Sequence, residues 1–428
     1  MRLLPLLLVG TLFMLELQAQ DPAAASPGPP ALTHGPMLGD LRPASVRIWA
    51  RLDGPGERQL RIVDEEGQEV FRQSARARAE HDFVLTWLAP GLLPASTYRY
   101  GIGPKEHSFR TPPKSDAPAK VSLAFGSCAD DRKYPSQPIW QAIERSGAQA
   151  MVTLGDTPYI DSTDVLVQRA RYRALYAVPE LRALQAKLPF YGTWDDHDFG
   201  RNDTDGRLPG KRGSRQGFME YHLQPTYGQG GAGIYSSFRW GPVEVFLLDA
   251  RWFAATTKSP FAPAQPSLLG ASQWRWLKHG LKHSTADFKL LATGMIWNGS
   301  VRPTKTDHWG TYAHERKELV RFLASESIDG VVLVGGDIHR SRVVNHATAD
   351  VLGYDLLEVI TSPLANRVIA AANQPHPGLE WDGDPTQSFA LFNADTTGAE
   401  PSLEVRFLDH EDRTLYRLVR SGQQLRAK

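Results

Sequence analysis

The segment "TWDDHDFGRND", Thr193–Asp203, packs four carboxylates, a histidine, an asparagine and an arginine directly behind the apolar run "LPFYG". Carboxylates crowded together repel, and each raises the pKa of its neighbours. Either a cation holds them or the segment is a solvated turn. Three other segments share the layout. "VSLAFGSC" ends in Gly126-Ser127-Cys128. "AMVTLGD" ends in Gly155-Asp156, with Tyr159 three residues on. "GVVLVGGDIH" ends in Gly335-Gly336-Asp337, with His339 two residues beyond. Thiol, carboxylate, phenol and imidazole are metal-competent side chains. Each also has an ordinary reading on its own. A lone cysteine is a small buried hydrophobe, an Asp after Gly caps a helix, a tyrosine packs, and a surface D-x-H pair is usually inert. Their recurrence at four apparent strand ends is the stronger signal. In open α/β sheets, sites form in the crevice beyond the carboxyl ends of the strands.

The elements needed to carry those ends are visible in the hydrophobic pattern. Beyond the polar and proline-rich "TPPKSDAPAK", apolar strands alternate with amphipathic helices. The helices are "QPIWQAIERSG", a long stretch Val165–Lys187, "GSRQGFMEYHL", "GASQWRWLKHGLKHS" and "HERKELVRFLASES". After His339 the pattern turns to strands at "LEVITS", "SFALFNA" and "SLEVRFLD". This predicts a layered α/β domain over 118–428, with β-sheets sandwiched by helices.

Residues 32–112 read differently, as short alternating strands. "SVRIWARL" sets Val46, Ile48, Ala50 and Leu52 on one side. "QLRIVDEEGQEVFRQ" reads as a hairpin turning at Glu66-Gly67. "LLPASTYRYGI" resembles the L-x-P-x-[ST]-x-Y corner of fibronectin type III domains. A small all-β sandwich of Ig/fibronectin-III type is expected there, with a structural or substrate-positioning role.

The chain has 428 residues, 41% hydrophobic and 22% charged, with net charge +1. That is ordinary globular composition, and bulk electrostatics offer no nucleic-acid or anionic-membrane partner. Residues 1–19 have a basic start, a short apolar run and a small-residue end, the layout of a secretory signal peptide. Residues 20–31 read as a linker, and no later stretch is apolar enough to span a bilayer. The expected location is exported, periplasmic or extracellular. Cys128 is the only cysteine. An odd thiol in an exported chain is either buried and inert or has a chemical task.

Taken together, "GD(x)2Y", "WDDHD…ND" and "GGDIH" resemble the PhoD-like alkaline phosphatases, a branch of the calcineurin-like metallophosphoesterases. "HGPMLGDLRPASVRIWARL" and "TDHWGTYAHERKELVRFL" are similar to further parts of that family. The resemblance implies a secreted metal-dependent phosphoric ester hydrolase, a monoesterase or diesterase, using a hydroxide bridging two metals. It assigns Asp156 to both metals. Cys128, Tyr159 and His339 would hold Fe³⁺, and Asn202 and Asp337 would hold Ca²⁺. Anionic sulfur and phenol donors suit a trivalent iron, and oxygen donors suit calcium. Asp196 and, more weakly, Asp203 rival Asn202 in the second shell of donors. The superfamily's metal-binding histidine has no obvious equivalent in "ATGMIWNGS". His197 is the candidate for assisting the leaving group; its alternative is orienting a carboxylate. Arg201 and Arg340 are candidates for holding phosphate, or plain ion-pair partners.

The expected partner is a small phosphate-ester substrate, and oligomeric state is open. Two other readings stand beside this one. The first is a diesterase or phospholipase-type enzyme of narrow range, with preference set by loops Thr256–Leu269 and Asn366–Thr386. The second is a catalytically degenerate secreted binding protein. The intact set Cys128, Asp156, Tyr159, Asp337 and His339 argues against the latter.

Overall fold

The computed structural model describes residues 29–299 and 305–428. The expected signal peptide, 1–19, and most of the linker lie outside the described residues. The described residues open with seven strands in two antiparallel sheets. Leu32–Arg42, Ser45–Leu52 and Val84–Pro90 form one. Glu69–Ala77, Gly56–Val63, Thr97–Gly101 and Glu106–Arg110 form the other, in that order. The hairpin at Glu66-Gly67 forms, with Gly67 at φ 83°. Glycine tolerates that left-handed turn without steric cost.

Val46, Ile48, Ala50 and Leu52 are fully buried, as the alternation predicts. Trp49 on the opposite face is buried too. Its ring meets Tyr176 and Tyr221, and its Nε1–H donates to the Glu220 carbonyl at 2.8 Å. The strand is therefore covered on both sides, because its outer face is the seam with the next layer.

Two mixed sheets form the larger part. One runs Phe190–Thr193, Ala150–Leu154, Lys120–Gly126, Ser388–Asp395, Ser402–Asp409, Thr414–Ser421. Its first three strands are parallel and the rest antiparallel. The other runs Ser236–Trp240, Val243–Leu247, Phe288–Ala292, Val331–Gly335, Leu356–Ile360, Arg342–His346, Leu379–Asp382. Its four parallel neighbours are the strands from Val243 to Ile360. The inner faces share one core that includes Leu123, Phe125, Val152, Leu290, Val332 and Phe392. Each such side chain contributes roughly 1.5–3 kcal/mol by leaving water. Helices cover the outside. Ile139–Arg145 and Pro179–Gln185 pack with Met151 and Leu391 on the first sheet. Gly270–His283 lies on the second, with Gly280 against the Phe246 ring.

Two expectations change. The helix expected over Val165–Lys187 is two helices, Val165–Tyr176 and Pro179–Gln185. Val178 precedes a proline, which disfavours helical geometry there and ends the first helix. The Asn366–Thr386 loop is not wholly irregular: Leu379–Asp382 adds an edge strand beside Arg342–His346. Among the described residues no helix is long and apolar enough to cross a membrane.

Candidate metal centre

The carboxyl ends of the parallel strands in both sheets meet at one edge. Backbone bonds stitch them together. Cys128 N–H donates to Gly155 O (3.2 Å), Leu364 N–H to Ser127 O (2.8 Å) and Gly336 N–H to Gly294 O (2.9 Å). Cys128, Asp156, Asp337 and His339 all lie in the left-handed region, with φ of 62°, 51°, 68° and 53°. Each such residue costs on the order of 1–3 kcal/mol, and strain of this kind collects at functional sites. Here it turns the chain sharply just past the strand, which brings the side chains of three segments into one crevice.

Cys128, Asp156 and His339 bring ligand atoms within 4.8 Å of one another. Cys128 Sγ lies 3.6 Å from Asp156 Oδ2. The Tyr159 hydroxyl donates to His339 Nε2 at 2.6 Å. His339 Nδ1–H donates to the Arg367 carbonyl at 2.9 Å, which fixes the tautomer with a basic Nε2 facing Tyr159. Asp156 belongs to a second triad with Asp196 and His197, and Asp195, Asp196 and Asp337 form a third. Asp156 and Asp196 thus link adjoining pockets. A further triad is Asp196, Asp203 and Asp307.

The electrostatics call for added positive charge. Asp156, Asp195, Asp196 and Asp198 are buried, and the Asp337 side chain is 8% exposed. Among the described residues two strong bases reach into this group. Arg251 binds Asp195 and, at 2.7 and 2.8 Å, Asp307. Lys305 Nζ lies 2.9 and 3.1 Å from the Asp337 oxygens. Burial first, and then the charges of Asp196 and Asp195, push the Asp156 carboxyl well above the usual range. Burial and then Asp156 push up the Cys128 thiol; burial and then Cys128 push up the Tyr159 phenol. Such groups ionise together only beside a cation. Asp195 Oδ2 is buried with no hydrogen-bond partner among the described residues, an oxygen suited to a metal. The donor set fits the expected metals: sulfur, phenol and imidazole on one side, carboxylates on the other.

His197 holds Asp161 through Nδ1 at 2.5 Å, and its ring lies 4.6 Å from that of Tyr159. Burial would lower its pKa, but the Asp161 hydrogen bond and Asp196 outweigh that and raise it. Asn202 and Arg201 are exposed on the turn beyond the short helix Asp196–Phe199. The Asp203 N–H one residue on donates to Asp196 Oδ2 at 2.6 Å. Asp382 takes the Arg340 guanidinium at 2.7 and 3.2 Å, the ion-pair alternative for that residue.

Sequence reasoning placed Asp195 and Asp198 in the acidic cluster without giving either a role of its own, and missed Arg251, Lys305 and Asp307. Arg251 carried a usable signal, since "VEVFLLDAR" is another apolar strand followed by charge. Lys305 and Asp307 follow no strand and carried none. A Cβ on Gly294 would stand 2.6 Å from Asp195 Cβ, so the Asp195–Arg251 pair fills that space.

The profile of the PhoD-like phosphatases matches residues 123–410, the greater part of the chain and all the strand ends just described. The chain belongs to the PhoD-like phosphatase family. It is 26% identical over 289 residues to alkaline phosphatase D of Bacillus subtilis (strain 168). That match covers 60% of this chain and 48% of the relative, so the chain spans about half the length of that protein. A solved structure of PhoD superposes with TM-score 0.76 at 18% identity, covering 95% of this chain and 93% of that one. Purple acid phosphatase PPD1 from yellow lupin (Lupinus luteus) seeds gives 0.67 at 12% identity, over 90% and 73%. At these identities both show a shared fold.

Proposed function

We propose that this PhoD-like chain is an exported, metal-dependent phosphoric ester hydrolase of the alkaline phosphatase D kind. The observation that carries the reading is Asp156, shared between the Cys128–His339 triad and a triad with Asp196 and His197, with Asp196 in turn belonging to the Asp195–Asp337 triad. Cys128, Tyr159 and His339 would hold one cation, taken as Fe³⁺. Asp195, Asp196 and Asp337 would hold the other, taken as Ca²⁺, with Asp156 common to both. When bound, the pair supplies Lewis acidity and an acidified water.

The remaining steps belong to the chain's own residues. Asp156, fixed at the end of its strand, sets the spacing between the two pockets. His339, tied by Nδ1 to the Arg367 carbonyl, keeps its basic nitrogen on the site. His197, donating Nδ1–H to Asp161 in a pairing that favours the imidazolium, would carry its second proton at Nε2 for the departing alkoxide. The fork of Arg251 neutralises Asp195 and Asp307 and Lys305 pairs with Asp337, which leaves Asp156 and Asp196 the less compensated carboxylates. The N-terminal strands are read as a fibronectin-III-like sandwich; their three-plus-four pairing supports this. Export rests on the signal-like residues 1–19.

The test is metal analysis with a panel of phosphate mono- and diesters. Iron, hydrolysis, and a visible tyrosinate-to-iron band lost in Tyr159→Phe are expected. Colourless, iron-free and fully active protein would overturn the assignment.

A further inference from the structure

Lys305 is placed where a second cation has to compete with it. Its ammonium lies 2.9 and 3.1 Å from both oxygens of Asp337 and 3.3 Å from Asp203, on a side chain only 15% exposed. His308 Nε2–H donates to the Lys305 carbonyl at 2.8 Å and anchors its backbone. Calcium would need an Asp337 oxygen at about 2.3–2.6 Å. An ammonium spanning both oxygens of that carboxylate stands in the same space and repels the ion. The Cys128–Tyr159–His339 side of the crevice has no ammonium in hydrogen-bond reach among the described residues; Lys133 Nζ stands 5.8 Å from the Tyr159 ring centre. The two pockets therefore differ in kind. Asp203, whose side chain is 48% exposed, offers the ammonium a second partner at the rim.

We propose that Lys305 is a resident counter-ion of the second pocket, displaced toward Asp203 when a divalent cation loads there. The proposal rests on the metal reading of the site given above. Its consequence is asymmetry: one ion is held firmly, and the other exchanges. Apparent affinity for the second ion is the intrinsic affinity multiplied by the fraction of chains in which Lys305 has withdrawn. The withdrawn ammonium also adds a positive charge at the crevice rim, where phosphate oxygens arrive.

The experiment is calorimetric titration of calcium alone into the full chain after brief chelator treatment. Wild type is compared with Lys305→Met and Lys305→Arg. Lys305→Met should bind calcium at least tenfold more tightly, while Lys305→Arg, which keeps the charge, should stay near wild type. The iron content and visible band should be the same in all three, which also reports that the variants fold. Equal or weaker calcium binding by Lys305→Met, with iron retained, overturns the counter-ion role and leaves the metal reading standing. A chain that takes up neither iron nor calcium in any form removes the metal reading and this proposal with it.

Discussion

At the scale of single residues, function turns on which groups hold a charge and which hold a proton. His197 is pinned at Nδ1 by Asp161 and packs at a tilt against the Tyr159 ring, so its own ring has little freedom. A positioned acid helps a poor leaving group far more than a good one. His197→Ala should therefore cost about 10²–10⁴ in kcat for alkyl phosphates and much less for p-nitrophenyl phosphate. Equal losses for both substrates would take His197 out of the leaving-group role. The residue types of this site were legible beforehand, because thiol, phenol, imidazole and carboxylate each announce their chemistry. The choice among arginines was not. Arg201, Arg251 and Arg340 look alike in sequence. Burial against Asp195 and pairing with Asp382 separate Arg251 and Arg340 only in three dimensions.

At the scale of elements, the four-residue helix Asp196–Phe199 acts as a clamp. The Asp198 carboxylate accepts from the N–H groups of Asp156 (2.5 Å), Asp195 (2.9 Å) and Thr157 (3.1 Å). Gln168, on helix Val165–Tyr176, donates to the Asp198 carbonyl at 2.8 Å. One side chain thus ties two strand ends together. Asp198→Ala would orphan three buried donors, each worth on the order of 1–3 kcal/mol. A fall of about 3 kcal/mol or more in stability is expected from urea unfolding, with weaker metal retention. Asp198→Asn, which keeps one acceptor oxygen, should lose less. An unchanged urea midpoint in Asp198→Ala would show that the clamp contributes nothing. Periodicity located most elements, since a buried face imposes spacing of about 3.6 on helices and 2 on strands. It did not show that Val165–Lys187 breaks into two helices, because both halves keep an apolar stripe.

At the scale of the whole molecule, the N-terminal strands are bonded into the larger layers. Asp82 accepts from Arg51 at 3.1 and 3.2 Å, from Arg173 at 2.5 Å and from the Tyr221 hydroxyl. Arg51 belongs to the first sheet, while Arg173 and Tyr221 lie on helices beside the metal-competent edge. Burial alone would raise the Asp82 pKa, but Arg51, Tyr221 and Arg173 together hold it below the usual carboxylate value. A depressed folded pKa stabilises above the unfolded value of about 3.9 and is lost as pH falls through the folded one. Asp82→Asn should cost about 3 kcal/mol at neutral pH by leaving buried cations unpaired. The gap to wild type should narrow below about pH 4. A gap that stays constant down to pH 2 would show that the Asp82 charge is not what joins the layers.

The sequence alone determined the layered α/β pattern, the β-rich start and the strand ends that carry Cys128, Asp156, Asp337 and His339. These follow from local rules, hydrophobic period and turn chemistry, that act over a few residues. Tertiary structure alone decided which charges meet: Arg251 with Asp195 across 56 positions, and Lys305 with Asp337 across 32. Such pairs depend on how two sheets close over one core. Coulombic and hydrogen-bond partners act through space, and a one-dimensional pattern has no term for that distance.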